Sequence, residues 1–249
     1  MPHHTRHHFK LVVHDLHMNA LGRDRSIRVC LPPAYLTEPG RAFQVMYLLD
    51  GQNLFEDATS YAGAWHIGGK VAHLPAHQQV ILVGVDNGGK KRMHEYLPIY
   101  RASRHAEGEA YLAFILEQVI PFINAEYRTL PDARHTYIGG SSLGGLLAFY
   151  AVTRYGQHFG RGGILSPSFW YQPKVFNKIK HYPANKIYIL ASNTESQFMG
   201  KSLSQAYREL RECGYTDPQL RVVLRAEGRH DEHFWGSEFN EMLLWLQED

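Results

Sequence analysis

The chain has 249 residues, a length that one α/β domain routinely reaches, and 44% hydrophobic with 20% charged residues is ordinary globular composition. That excludes a disordered chain, a collagen or a disulfide-stapled mini-fold. With 26 Lys and Arg against 24 Asp and Glu, net +2, and no long run of one sign, the basic footprint of a nucleic-acid binder is missing.

In chain order, the start MPHHTRHHFK is basic and has no apolar core of a secretory signal. Its histidines at 3, 4, 7 and 8 read better as a frayed terminus than as a metal tract. No apolar stretch nears the roughly 20 residues a membrane span needs. Cys30 and Cys213 are too few for a disulfide framework, so a cytoplasmic, reducing location is expected.

Short β-branched or apolar runs follow. Phe9 to Val13 and Ser26 to Leu31 read as a paired antiparallel edge. Val45 to Leu49, Val80 to Val85, Thr136 to Ile138, Ile187 to Leu190 and Leu220 to Leu224 read as further strands. Between them, Ala110 to Tyr127 carries Tyr111, Phe114, Ile115, Val119, Phe122 and Ile123 at helical spacing, with Pro121 expected to kink it or start a new turn. Phe234 to Leu246 repeats the pattern with Phe239, Met242, Leu243 and Leu246. Strands alternating with covering helices predict βαβ units and a mostly parallel sheet. No linker divides the chain, so a single domain over residues 1–249 is expected. The polar segment Asp86 to Gly108 is the longest irregular stretch and is read as part of an active-site rim.

Chemistry concentrates at Gly140-Ser141-Ser142-Leu143-Gly144, between the strand HTYIG and the helical run LGGLLAFYAVTRY. This is G-x-S-x-G in the strand-turn-helix setting of a nucleophile elbow. So sharp a turn strains the serine backbone, and side chains at the flanking glycines would collide with their neighbours. Ser142 is the candidate nucleophile, and the Leu143 amide at the helix start is a candidate oxyanion donor. A second amide is expected from Gly51 or Gln52, after the run VMYLL.

A serine nucleophile needs a base, and the hydrolase order is nucleophile, acid, histidine. Downstream lie His158, His181, His230 and His233. His158 falls at the wrong end of the elbow helix and His181 precedes a strand. His230 is preferred to His233 because it sits in the short loop after LRVVLRA, at the sheet edge that presents Ser142. His230 and His233 are three apart, which does not make the i, i+4 metal pair of a zincin. Glu195, just past KIYILAS, is the preferred acid, with Asp217, Glu227 and Asp231 as competitors.

The segments RVCLPPAYL, YLLDGQNLFEDATSYAGAW, ILVGVDNG with RMHEYLP, YRTLPDARHTYIGGSSLGGLLAFYA, FGRGGILSPSFW and GRHDEHFW together resemble the Putative esterase family of α/β-hydrolases. This group holds the enterochelin-esterase-like and feruloyl-esterase-like enzymes, and the resemblance runs from about Ser26 onward. It implies an α/β-hydrolase fold, Ser142 as nucleophile, His230 as base and an oxyanion amide from the DGQN loop. The family commonly has Asp where this chain has Glu195. Phe55, Trp65 and Trp170, with Arg92, are expected to line a pocket for an aryl or acyl ester. The resulting expectation is a serine ester hydrolase working through an acyl-enzyme, with a small-molecule ester as its partner and no cofactor, metal, nucleic acid or membrane. Rival readings are an acyltransferase or thioesterase with the same nucleophile, or a catalytically silent binding protein on the same fold.

Overall fold

The computed structural model describes residues 8–99 and 105–248. The histidines at 3, 4 and 7 and residues 100–104 of the long polar segment lie outside the described residues. The strands are β1 (Lys10–Met18), β2 (Arg23–Leu31), β3 (Val45–Leu49), β4 (Ile81–Val85), β5 (Thr136–Ser141), β6 (Arg161–Leu165), β7 (Lys186–Ser192) and β8 (Leu220–Arg225). They form one sheet in the order β1-β2-β4-β3-β5-β6-β7-β8. Only the β1–β2 and β2–β4 pairs are antiparallel; every other pair is parallel.

The central strands explain their own composition. VMYLL of β3 and ILVGV of β4 are buried along their whole length, as a sheet covered on both faces requires. The strand period of two then divides them between two cores. Val45, Tyr47 and Leu49 join the core on one face, and Met46 and Leu48 join the other. The first core is closed by the helices α1 (Pro33–Thr37), α3 (Arg92–Tyr96), α4 (Gly108–Phe114), α5 (Ile120–Glu126), α6 (Leu143–Arg154) and α7 (Met199–Cys213). The second is closed by α2 (Ile67–Ala72) and α8 (Glu232–Gln247).

Several sequence expectations are refined here. The first strand extends to Met18. The predicted helix from 110 to 127 is α4 and α5 joined without a break by a π-helical turn at Ile115–Val119, and Pro121 follows that turn directly, in the first turn of α5. The sequence reading missed the short helices α1, α2 and α3 and, beyond those, two further elements. One is β6, whose sequence RGGIL is glycine-rich. The other is α7, which buries Met199, Leu203, Ala206 and Leu210 and ends on left-handed Gly214 at φ 110°.

The parallel strands all end at one edge, and α6 starts there directly after β5. Residues that follow β3, β4, β5, β7 and β8 therefore converge, which is where open α/β sheets place their sites. Among the described residues, no helix is long and apolar enough to cross a membrane.

Candidate active site

Ser142 stands between β5 and α6 with φ 56° and ψ −122°, a region that non-glycine residues enter only under constraint. The constraint is visible in its backbone. Its N–H donates to the Leu165 carbonyl at 3.0 Å, and its carbonyl accepts from Leu146 at 3.0 Å and from Ser168 at 3.1 Å. The glycines around it have no room for side chains. A Cβ on Gly140 would lie 2.9 Å from the Gly144 backbone, and one on Gly144 would lie 3.2 Å from the Asp50 carboxylate. The sequence reading missed Gly145, where a Cβ would meet the Leu165 carbonyl oxygen at 2.8 Å.

The elbow brings Ser142, His230 and Glu195 into one hydrogen-bonded row. His230 Nε2 lies 2.9 Å from Ser142 Oγ, and His230 Nδ1 lies 2.7 Å from Glu195 Oε2. A carboxylate at Nδ1 selects the tautomer in which Nδ1 carries the proton and Nε2 accepts from the serine hydroxyl. Glu195 has a fully buried side chain, while His230 keeps 34% of its side chain exposed. The other carboxylate oxygen, Oε1, accepts from the Ser192 amide at 2.7 Å. Glu195 and His230 sit on separate loops that are stitched together. The Gly228 carbonyl accepts from both Ser192 Oγ (3.0 Å) and Thr194 Oγ1 (2.7 Å), and the Gly228 amide donates to Thr194 Oγ1 at 3.1 Å.

Trp235, which the sequence reading quoted without assigning a role, backs the imidazole. The rings meet edge to face with centroids 5.0 Å apart, and the indole N–H donates to buried Ser166 at 2.8 Å. Ser168 places its hydroxyl 3.2 Å from Ser142 Oγ. The competing side chains are exposed or make other contacts. His233 is exposed on the first turn of α8, Asp217 pairs with Arg211 at 2.7 Å, and Asp231 caps α8 by accepting from the Phe234 amide at 2.9 Å.

A cavity of about 690 Å³ opens over Ser142 and His230, and its wall departs from the expected aromatic pocket. Phe55 and Trp65 are buried in the second core, Trp65 against Trp235 at 5.9 Å. Trp170 is 38% exposed beside Tyr171. None of the three is among the lining residues, whereas Tyr61, Trp235 and Arg92 are. Phe55 and Trp65 serve the core, because burying them stabilises the fold whether or not a ligand is present.

The polar segment Asp86 to Gly108 contributes Asn87, Gly89 and Arg92 to the wall. Glu95 anchors it. Fully buried, its carboxylate accepts from Arg23 (2.9 Å), Arg25 (2.5 Å) and the Gly88 amide (2.8 Å). Arg92 grips Asp50 with two parallel bonds of 2.7 and 2.8 Å. Burial works against the Arg92 charge, but Asp50 outweighs it and holds the guanidinium above its ordinary range. Glu232, 7% exposed, accepts from Asn53 Nδ2 at 3.1 Å. Burial pushes its carboxyl above the usual range; its own backbone amide and Arg92 oppose this, while Asp50 and Asp231 add to it.

Of the two residues expected to offer the second oxyanion amide, Gln52 lines the cavity and Gly51 is packed behind it. Gly51 is small for a different reason from substrate approach: a Cβ there would lie 2.5 Å from the Gly84 backbone carbon of β4. Leu143 is buried at the start of α6, where backbone amides lack intrahelical partners. Among the described residues, no group of three or more His, Cys, Asp or Glu side chains is arranged to hold a metal ion.

The family model described as Putative esterase matches residues 18–246. The chain belongs to the Putative esterase family. Membership supports carboxylic-ester hydrolysis as its chemistry. Uncharacterized protein YbbA of Bacillus subtilis (strain 168) is 27% identical over 240 residues, covering 90% of this chain and 92% of that protein. Among solved structures, a ferulic acid esterase superposes with a TM-score of 0.74 at 18% identity, covering 97% of this chain and 98% of that one. The enterobactin esterase FES from Shigella flexneri superposes at 0.75 and 17% identity, covering 96% of this chain and 58% of the other. These likenesses show the α/β-hydrolase fold, in keeping with the mostly parallel sheet and its helices on both faces.

Proposed function

We propose that this esterase-family chain is a serine carboxylic-ester hydrolase that works through an acyl-enzyme, with Ser142 as nucleophile, His230 as general base and acid, and Glu195 as the carboxylate that orients it. The observation that carries the reading is the row Ser142–His230–Glu195 with contacts of 2.9 and 2.7 Å at the elbow. Ser142 Oγ attacks the ester carbonyl carbon while its proton passes to His230 Nε2. The negative charge that develops on the carbonyl oxygen faces the Leu143 amide and, from the turn after β3, the Gln52 amide. The imidazolium, steadied by Glu195, returns its proton to the departing alcohol as the C–O bond breaks. Water, deprotonated by the same nitrogen, then attacks the acyl-enzyme, and the carboxylic acid leaves as Ser142 regains its proton.

A cavity of about 690 Å³ suits a small ester. Aryl and short acyl esters, of the feruloyl or siderophore type, are the proposed substrates, in line with what the ferulic acid and enterobactin esterases are named for. The test combines a fluorophosphonate probe with p-nitrophenyl acetate and butyrate. Wild-type protein is expected to take the probe on Ser142 and to release nitrophenol, while Ser142→Ala does neither. A wild-type protein inert to every activated aryl ester refutes the hydrolase reading. Labelling without hydrolysis that yields products only when an alcohol or amine is added points instead to acyl transfer.

A further inference from the structure

The charge of the cavity differs from that of the chain. Formal net charge over the whole sequence is +2, yet the described residues lining the cavity include three carboxylates, Asp50, Asp231 and Glu232, against one guanidinium, Arg92. That guanidinium is already committed, with Nε and Nη2 both bonded to Asp50. Asp50 also accepts from Asn87 Nδ2 at 2.5 Å. An anion entering the cavity meets a guanidinium whose charge the buried Asp50 carboxylate already balances, so Asp231 and Glu232 are left to oppose it. The other two carboxylates are held by neutral donors: Glu232 by the Asn53 side-chain amide and Asp231 by the Phe234 backbone amide.

We propose that Glu232 is a specificity-determining residue that, with Asp50 and Asp231 beside it, makes the cavity select uncharged esters and turn away esters that carry a carboxylate. The proposal rests on the ester-hydrolase reading above and narrows it. The wall already bears the strain of its own like charges. After burial, the charges of Asp50 and Asp231 push the Glu232 carboxyl upward, so a further negative group meets repulsion where the dielectric is low. Neutral hydroxyls and amides, by contrast, find acceptors on Glu232 and Asp50 and a donor on Asn53.

Matched esters test this. On the acyl side p-nitrophenyl butyrate is compared with mono-p-nitrophenyl succinate, and on the alcohol side 4-acetoxybenzamide with 4-acetoxybenzoate. The readout is the ratio of kcat/KM, neutral over anionic. A ratio of roughly 10 to 100 is expected on at least one pair, from like-charge repulsion across several ångströms of partly buried space. It is expected to shrink several-fold between 0.05 and 1 M salt, which a purely steric preference does not do, and to shrink likewise in Glu232→Gln. Should Glu232→Gln not fold by circular dichroism, Asp231→Asn, which keeps a helix-capping side chain, and the salt series decide. Ratios near one on both pairs, or a preference that neither salt nor the variants reduce, overturn the proposal and leave the hydrolase reading standing. Failure of the wild type to hydrolyse any of the four esters or to take the fluorophosphonate overturns both.

Discussion

Replacing Glu195 by Gln changes one atom and tests the orientation of the base. The buried carboxylate makes two short contacts of opposite demand on its replacement. Oε1 accepts from the Ser192 amide at 2.7 Å, and Oε2 faces His230 Nδ1 at 2.7 Å. A glutamine has one acceptor oxygen, and the Ser192 N–H, a fixed backbone donor, claims it. The side-chain NH₂ then points at Nδ1 and favours the tautomer with the proton on Nε2, so that Ser142 loses its acceptor. The imidazolium formed during attack also loses a charge-assisted bond worth about 1.5–3 kcal/mol. At about 1.4 kcal/mol per factor of ten that loss alone slows the reaction roughly 10- to 100-fold, and the wrong tautomer takes the total toward about 10⁴. Stopped-flow release of nitrophenol from p-nitrophenyl acetate separates acylation from deacylation, and both are expected to slow because the same imidazole serves each. Glu195→Asp should recover part of the rate if its shorter arm still reaches. A Glu195→Gln enzyme with an unchanged melting curve and a kcat within threefold of wild type would show that the Nδ1 contact does not orient the base.

Three further outcomes follow from the same geometry. Ser142→Ala and His230→Ala should each lower kcat by several orders of magnitude at unchanged Tm, while His233→Ala, altering an exposed side chain, should stay near wild type; the reverse order for the two histidines would reassign the base. Ser142→Gly should raise Tm by about 2–4 °C while abolishing activity, since relief of the φ 56°, ψ −122° conformation returns about 1 kcal/mol net of the glycine's greater unfolded entropy; a fall in Tm on calorimetry argues against strain at the elbow. Glu232 has its folded-state carboxyl raised, so the folded protein binds more protons there than the unfolded chain and this group's contribution to stability falls as pH rises through the raised value. The Tm of Glu232→Gln relative to wild type should therefore climb from pH 4 to pH 8, and a flat difference would contradict that sign.

What the sequence determined by itself is local. A nucleophile elbow is a few consecutive residues whose backbone conformation dictates its glycines, so GSSLG between a strand and a helix is legible without coordinates. Uniformly apolar runs such as VMYLL were equally plain, because a strand covered on both faces has no polar side. His230 and Glu195 were reachable because loops after successive parallel strands meet at one edge. β6 was not, since its RGGIL owes its glycines to neighbours: a Cβ on Gly163 would lie 2.5 Å from Met242 Sδ, a contact with no trace in local propensity. The amphipathic stripe of α7 was present but thin, four buried positions in fifteen residues. Of the cavity wall the sequence offered Arg92, Gln52 and the polar segment from Asp86 to Gly108, while the pairing of its charges belonged to tertiary structure. Asp50 meets Arg92 across 42 residues and Asn53 meets Glu232 across 179, and an aromatic such as Phe55 or Trp65 lowers the free energy as well in a core as in a pocket. Charge pairing and burial of this kind depend on which distant loops share a dielectric, and only the folded arrangement decides that.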